Sequence, residues 1–447
     1  MRRLFSNRED RFTRHAGAPF QPSVSDVEQP VKMGNTAEGT GALPIVTEHN
    51  YGSRPNRTIY LVGAGGSPNF GDELTIRRWL RHLNDTEPGA TVWVDTPNPG
   101  STATVMAEEH PGLRTTDTIY RLASEAANDE AQTVAAFVHR ALDYPATASR
   151  WIPGIEVLRS LGPGDVFHVT GGGYINARRP RNVGVIAAAA WVSANTPAMV
   201  AATGLGLMPG DAGVKNVWAD VASEFDVLTV RDAPSLALVS SNSAALIEPG
   251  VALMGGLTGA VMPDASSAPK FMVCVQSDML DQPFAVVVDS VRALLHTWGA
   301  TGTDVGFVEC KPEVDRHIFD ALVVDFPGAR YYTLWDLLRD GMPARSGQRW
   351  ISSRYHPHLL AAGAGAAGVV MVVNDDYCAV NYEAVRALGS AWTLVKPGGE
   401  AIAAGGPGSL PAQTALYAKN LAATARNVYG ASSDSLGWAV AASMFAR

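Results

Sequence analysis

The sequence predicts an α/β protein built as two domains, each around a mainly parallel β-sheet. Three observations lead there. Short apolar runs alternate with amphipathic helical stretches from Thr58 onward. The alternation breaks between Gly255 and Pro269, where Gly, Ser, Ala and Pro dominate, and then restarts. At 447 residues the chain exceeds one ordinary core and suits two domains of roughly 150 to 200 residues each.

Residues 1–56 are polar and rich in Gly, Pro, Ser and Thr, so a disordered or loosely attached tail is expected there. The first domain is placed at 57–256. It opens with a short buried strand, Ile59-Tyr60-Leu61-Val62, followed by a glycine-rich turn and a helix from Asp72. In that helix Ile76, Trp79, Leu80 and Leu83 recur at i, i+3, i+4 and i+7, giving one packed face. Further strands are read at 91–94, 166–170, 198–203 and 226–230, with helices at 130–142, 184–194 and 215–224. The second domain is placed at 269–400. Its strands are read at 271–275, 304–309, 330–333, 349–353 and 368–373, and its helices at 284–298, 313–324, 358–363 and 381–388. Residues 411–447 read as helical and are expected to pack back across the domain junction. Two such halves place the ligand cleft between them, at the carboxyl ends of the strands.

Apolar content of 46% with 17% charged residues is that of a soluble globular protein. A net charge of −8, with no basic stripe interleaved with aromatics, excludes nucleic acid as a partner. An anionic ligand must then be held by a local cluster of cations. Cys274, Cys310 and Cys378 lie far apart without a C-x-x-C pairing, which fits a reducing compartment and predicts no metal site. No run of about 18 apolar residues is present, and Arg8, Glu9, Asp10 and Arg11 interrupt any signal-peptide core. A cytoplasmic protein is expected.

The segment Ile351-Ser352-Ser353-Arg354-Tyr355-His356-Pro357-His358 joins the 349–353 strand to the helix expected from His358. Pro357 suits a first helical position and biases His356 toward extended backbone. With 354–356 extended, Arg354 and His356 project to one side and Tyr355 to the other. A guanidinium and an imidazole beside a helix N-terminus make a site for an anion with a proton donor alongside.

Three other motifs sit at strand ends. In Gly63-Ala64-Gly65-Gly66-Ser67-Pro68-Asn69-Phe70-Gly71-Asp72-Glu73-Leu74, Pro68 stands where a dinucleotide fingerprint needs its third glycine, so that reading fails. Asp72 is either a helix cap or a carboxylate that orients or deprotonates an acceptor hydroxyl. Gly171-Gly172-Gly173-Tyr174-Ile175-Asn176 ends the 166–170 strand. It is either a tight turn or a place where a bound group approaches the main chain, with Tyr174 and Asn176 as candidate sugar contacts. His168, in mid-strand, reads as a core residue. Arg231 ends the 226–230 strand, with Asp232 and Ser235 suited to capping the next helix; it is the counterpart of Arg354 in the other half.

Taken together, the N-F-G-D-E-L turn, the G-G-G turn, R-D-x-x-S and the late S-S-R-Y-H resemble the polysaccharide pyruvyl transferase family, in the family's order, across about residues 59–390. The resemblance implies a glycosyltransferase-B-like pair of Rossmann-like domains, the first on the acceptor side and the second on the donor side. It implies transfer of pyruvate from phosphoenolpyruvate onto two hydroxyls of a cell-envelope or exopolysaccharide sugar, giving a ketal and releasing phosphate. By the same resemblance Arg231, Arg354 and His356 hold phosphoenolpyruvate, and Asn69, Gly71 and Asp72 match the N-x-G-D turn. The chain departs from the family at three places. Asp376-Tyr377-Cys378-Ala379-Val380-Asn381 has no lysine where the family often has one; Glu248 precedes Pro249 where aspartate is frequent; and Pro357 follows His356 where a small residue is usual.

The chemistry suits these groups. Two arginines can grip a carboxylate and a phosphate through paired hydrogen bonds. Protonating the enol methylene of phosphoenolpyruvate needs an acid, for which His356 is the candidate, with Asp72 serving the acceptor hydroxyl. No cofactor is called for beyond phosphoenolpyruvate as donor. A glycan or glycolipid acceptor is expected, the latter bringing transient contact with the inner membrane face. A nucleotide-sugar-dependent glycosyltransferase of the same architecture is the alternative, and a non-catalytic anion-binding relative is the third reading.

Overall fold

Strands that are apolar throughout must be covered on both faces, and Ile59, Tyr60, Leu61 and Val62 are all fully buried. A computed structural model describes residues 57–240 and 243–430; the expected tail at 1–56 and the stretch 431–447 lie outside the described residues. The first sheet comprises β1 (Thr58–Val62), β2 (Thr91–Asp95), β3 (Leu113–Thr116), β4 (Val166–Val169), β5 (Met199–Leu205), β6 (Val227–Val230) and β7 (Leu246–Ile247). They lie in the order β3-β2-β1-β4-β5-β6-β7. The second comprises β8 (Phe271–Cys274), β9 (Val305–Val308), β10 (Arg330–Tyr332), β11 (Arg349–Ser352), β12 (Ala367–Met371) and β13 (Thr393–Val395), ordered β10-β9-β8-β11-β12-β13. Every pairing of these strands is parallel.

The strand order turns back on itself between β1 and β4 in one sheet, where Ile59 pairs with Val166. It does so again between β8 and β11 in the other, where Phe271 pairs with Arg349. Both sheets are therefore doubly wound, the arrangement of two Rossmann-like domains, and each opens a crevice at its reversal point. Three strands escape the sequence reading: β3, β7 and β13. All lie at sheet edges, and Leu-Arg-Thr-Thr, Leu-Ile and Thr-Leu-Val are too short or too polar to read as apolar runs.

Two of the helices that begin earlier than expected carry site residues in their first turns. The first spans Phe70–Thr86, because the Asn69 side chain accepts the Gly71 N–H at 3.1 Å and caps it; Asp72 is thus inside the first turn, not the cap. The second spans Tyr355–Gly363, with Arg354 as its extended cap residue (φ −108°, ψ 146°). Pro357 occupies the third helical position, where a missing N–H costs no intrahelical bond. The alternation expected over 354–356 is therefore replaced by a helical first turn.

One apolar cluster runs through the junction. It joins Leu61, Leu74 and Trp79 of the first domain to Val251, Ala252 and Leu253, and continues through Leu359 to Met272 and Ile351. The helix Leu410–Tyr429 touches both halves. Its Tyr417 hydroxyl donates to the Leu388 carbonyl. Farther along, Thr424 donates to Glu248 at 2.5 Å, and the Tyr429 hydroxyl meets His168 Nδ1 at 2.5 Å. Burial pushes the Glu248 carboxyl up to about 7. His168, fully buried and also bonded to Thr203, is a core residue. Among the described residues, no helix is long and apolar enough to cross a membrane.

Candidate active site

Parallel strands deliver side chains to the carboxyl edge of a sheet, and here two such edges face each other. Arg231 follows β6; Arg354, Tyr355 and His356 follow β11; Gly172 and Gly173 follow β4; Asn69, Gly71 and Asp72 open the first helix. All of them line one interdomain cleft, together with Gln276, Cys310, Tyr377 and Asn381.

Arg231 is the cation that carries the site. It is 6% exposed and has no carboxylate within hydrogen-bond reach, Asp232 lying 3.9 Å from its Nε. Nη2 donates to Asn381 of the other domain at 2.7 Å, and the guanidinium stacks 4.6 Å from the centre of the Tyr355 ring. Nε is buried without a partner. The glycines make this possible. A side chain at Gly206 would collide with the guanidinium, and one at Gly173 would press on Arg231 Nη2 and the Tyr377 hydroxyl, both at 2.9 Å. A stacked, desolvated arginine of this kind gains about 2 kcal/mol from the ring.

Arg354 is placed differently. Its Nε and Nη2 grip Asp315 at 2.5 to 3.0 Å, and Asp315 also accepts the Cys310 and Lys311 N–H groups at 2.9 Å. Burial opposes the Arg354 charge, but the Asp315 carboxylate more than restores it and holds the guanidinium protonated. Arg354 therefore reaches the cleft as half of a buried ion pair. Nothing in the sequence signals Asp315, which lies 39 residues upstream.

His356 sits in the first turn of its helix, against Gly71 of the facing domain, where any side chain at 71 would meet its ring. Burial, and then the Arg231 charge, press its pKa down to about 3, so the imidazole is neutral near pH 7. Across the cleft, burial raises the Asp72 carboxyl to about 6 against the pull of Arg179, Arg231 and Arg354. Gly172, at φ +150°, leaves room for it: a Cβ there would stand 3.2 Å from Asp72 Oδ1.

Two sequence candidates do not reach the cleft. Tyr174 is buried and donates inward to the Thr170 carbonyl at 2.9 Å. Asn176 is buried and donates to the Gly173 carbonyl while accepting the Arg178 N–H. Both hold the glycine turn and are removed as sugar contacts. Asp232 acts as the simpler reading expected: it accepts the Ser235 N–H at 2.7 Å and caps the next helix, whereas the Ser235 hydroxyl accepts the Leu207 N–H at 2.9 Å. Tyr377 and Asn381 gain a role that sequence reading missed, since it noted that segment only for its missing lysine.

No family model matches the chain, and no curated protein matches it. The structure is similar to UDP-GlcNAc 2-epimerase of Methanocaldococcus jannaschii in complex with UDP-GlcNAc and UDP, at 11% identity, covering 82% of this chain and 99% of that one, with a TM-score of 0.48. It is similar to a spinosyn rhamnosyltransferase complexed with thymidine diphosphate, at 14% identity, 83% and 93% coverage and a TM-score of 0.39. It is also similar to UDP-GlcNAc 2-epimerase from Neisseria meningitidis, at 11% identity, 83% and 93% coverage and a TM-score of 0.44.

Proposed function

We propose that this chain transfers pyruvate from phosphoenolpyruvate to two hydroxyls of a cell-envelope or exopolysaccharide sugar, releasing phosphate and closing a ketal. One observation carries the reading: Arg231 from one domain and Arg354 with His356 from the other line a single cleft, with Asp72 opposite. Arg231 and the helix start at Tyr355 and His356 supply positive potential for the donor's anionic groups. Arg354 contributes the guanidinium nitrogen that Asp315 does not engage.

The reaction needs one proton delivered to the donor's methylene carbon and one taken from the attacking hydroxyl. His356 is neutral in the free site because burial, and then the Arg231 charge, disfavour its proton. A bound dianion offsets that charge, so His356 takes up a proton as the donor enters and is then placed to deliver it. Asp72 accepts the proton of the first hydroxyl. Carbon 2 bonds to that oxygen, phosphate leaves, and the second hydroxyl closes the ketal as its proton passes to the departing phosphate.

The second reading, a nucleotide-sugar-dependent glycosyltransferase, draws support from the two facing doubly wound sheets, whose carboxyl edges suit nucleotides, and from the engagement of Arg354 by Asp315. The two are separated by incubating purified protein with phosphoenolpyruvate and candidate glycans. Phosphate release that falls at least about a hundredfold in Arg231→Ala and His356→Ala supports pyruvyl transfer. Thermal stabilisation by UDP- or GDP-sugars and not by phosphoenolpyruvate supports the second reading. Phosphoenolpyruvate binding without turnover on any acceptor identifies a non-catalytic anion binder.

A further inference from the structure

Beside the cleft lies a cluster that the proposed reaction does not use. Cys274 ends β8, Cys310 follows the neighbouring β9, and Asp315 precedes the helix Arg316–Leu322. The two sulfurs and a carboxylate oxygen all lie within 4.8 Å of one another, and Cys274 Sγ is 4.0 Å from Asp315 Oδ2. All three residues are buried, at 1%, 1% and 4% exposure, and both cysteines are free thiols. Cys310 also lines the interdomain cleft, so one side of the cluster faces the ligand space.

We propose that Cys274, Cys310 and Asp315 form a three-ligand site for a thiophilic divalent cation, Zn2+ in the first instance, whose remaining coordination position faces the interdomain cleft. Two thiolates and one carboxylate are a donor set for a borderline-soft ion and a poor one for Mg2+ or Ca2+. The carboxylate is already oriented from behind. Its Oδ1 receives Arg354 Nη2 at 2.5 Å and Nε at 3.0 Å, while Oδ2, the oxygen on the sulfur side, receives Arg354 Nε and the Cys310 and Lys311 N–H groups, each at 2.9 Å. An arginine and two amides on the carboxylate are the kind of outer hydrogen bonds that fix a metal ligand.

The charges balance. Two thiols, a carboxylate and the Arg354 guanidinium sum to zero. A divalent ion that displaces the two thiol protons leaves two thiolates, the carboxylate, the metal and Arg354, which again sum to zero. Binding is thus M2+ exchanged for 2 H+, with no oxidant or reductant, and leaves no net charge in the buried cluster. Cys378, the third buried cysteine, is not part of the cluster and serves as the internal control. The inference stands apart from the proposed reaction: its test reads metal binding alone.

The experiment titrates reduced, chelator-stripped full-length protein with Co2+, followed by Zn2+. The expected result is one Co2+ per chain with thiolate-to-cobalt charge-transfer absorption, abolished by equimolar Zn2+. The signal is lost in Cys274→Ser and Cys310→Ser and retained in Cys378→Ser, with folding of each checked by circular dichroism. Folded wild-type protein that shows no charge-transfer band overturns the site, whatever the variants do. So does a band that survives Cys274→Ser or disappears in Cys378→Ser, or a Cys274–Cys310 disulfide that forms in air at the same rate with or without Zn2+.

Discussion

The imidazole of His356 is seated on Gly71, one from each domain, in a contact that any side chain at position 71 would occupy. Two of the motifs that stand out in the sequence, N-F-G-D and S-R-Y-H, are therefore the two halves of a single contact. Gly71→Ala must shift the ring or part the domains. The expected cost is about 1–3 kcal/mol of stability, with loss of anion binding, measured by chemical denaturation and calorimetry. Unchanged binding in the variant would show that the ring's place against Gly71 is immaterial.

The Arg354–Asp315 pair should behave as a unit. Either Arg354→Ala or Asp315→Ala leaves a buried charge unpaired, and each is expected to cost about 3–5 kcal/mol. The double variant should cost clearly less than the sum of the two. A double-mutant cycle by urea unfolding reads the coupling; additive single effects would mean the two side chains do not depend on each other.

Arg231→Lys keeps the charge while losing the planar fork, the Asn381 bond geometry and the stacking on Tyr355. At least a tenfold weaker affinity for a phosphate- or carboxylate-bearing ligand is expected, about 1.4 kcal/mol, with little change in melting temperature. Asn381→Ala should weaken binding in the same direction and by less. Equal affinity in Arg231→Lys would demote the residue to a general source of charge.

The pH dependence of stability has a definite sign for His356. Its pKa in the folded chain is about 3, below the ordinary 6.5, so the unfolded chain binds more protons between those values. Stability from this residue is present above pH 6.5 and lost as pH falls toward 3. His356→Gln should therefore flatten the acid limb by about one proton, roughly 1.4 kcal/mol per pH unit, between pH 4 and 6. His168 and His358, also pressed to about 3 by burial, keep the rest of the slope.

Proton uptake should accompany donor binding. Calorimetry of phosphoenolpyruvate binding at pH 7 in buffers of different ionisation enthalpy is expected to report about one proton taken up in wild type and markedly less in His356→Gln. Uptake that persists undiminished in the variant would assign the proton to another group, with Asp72, at about 6, the next to examine.

Most strands that build the site were legible because their runs are apolar on both faces: β1, β4, β6, β8 and β12 read directly from Val, Ile, Leu, Phe and Met, and β11 from Trp350 and Ile351. So were the two arginines, since Arg231 directly follows Val230 and Arg354 follows Ile351 after two serines. The edge strands β3, β7 and β13 were not, because an edge needs little apolar surface and leaves no periodic mark. Helix starts were misplaced for a local reason. Asn69 caps from its side chain, and Pro357 is as comfortable in the third helical position as in the first.

Local pattern thus settled that the chain alternates strand and helix twice over, and that Arg231 and Arg354 each follow a strand, because burial period and chain punctuation are written residue by residue. The two strands are not equivalent as expected: β11 lies beside β8 as β4 lies beside β1, two places from β6. Which partners those arginines meet is a matter of distance in space. Asp315 beside Arg354, Asn381 and Tyr355 against Arg231, and Cys274 next to Cys310 are separated by up to 150 residues of chain. The packing of two sheets across one junction brings them together, and burial there, not residue type, sets how much charge each group carries.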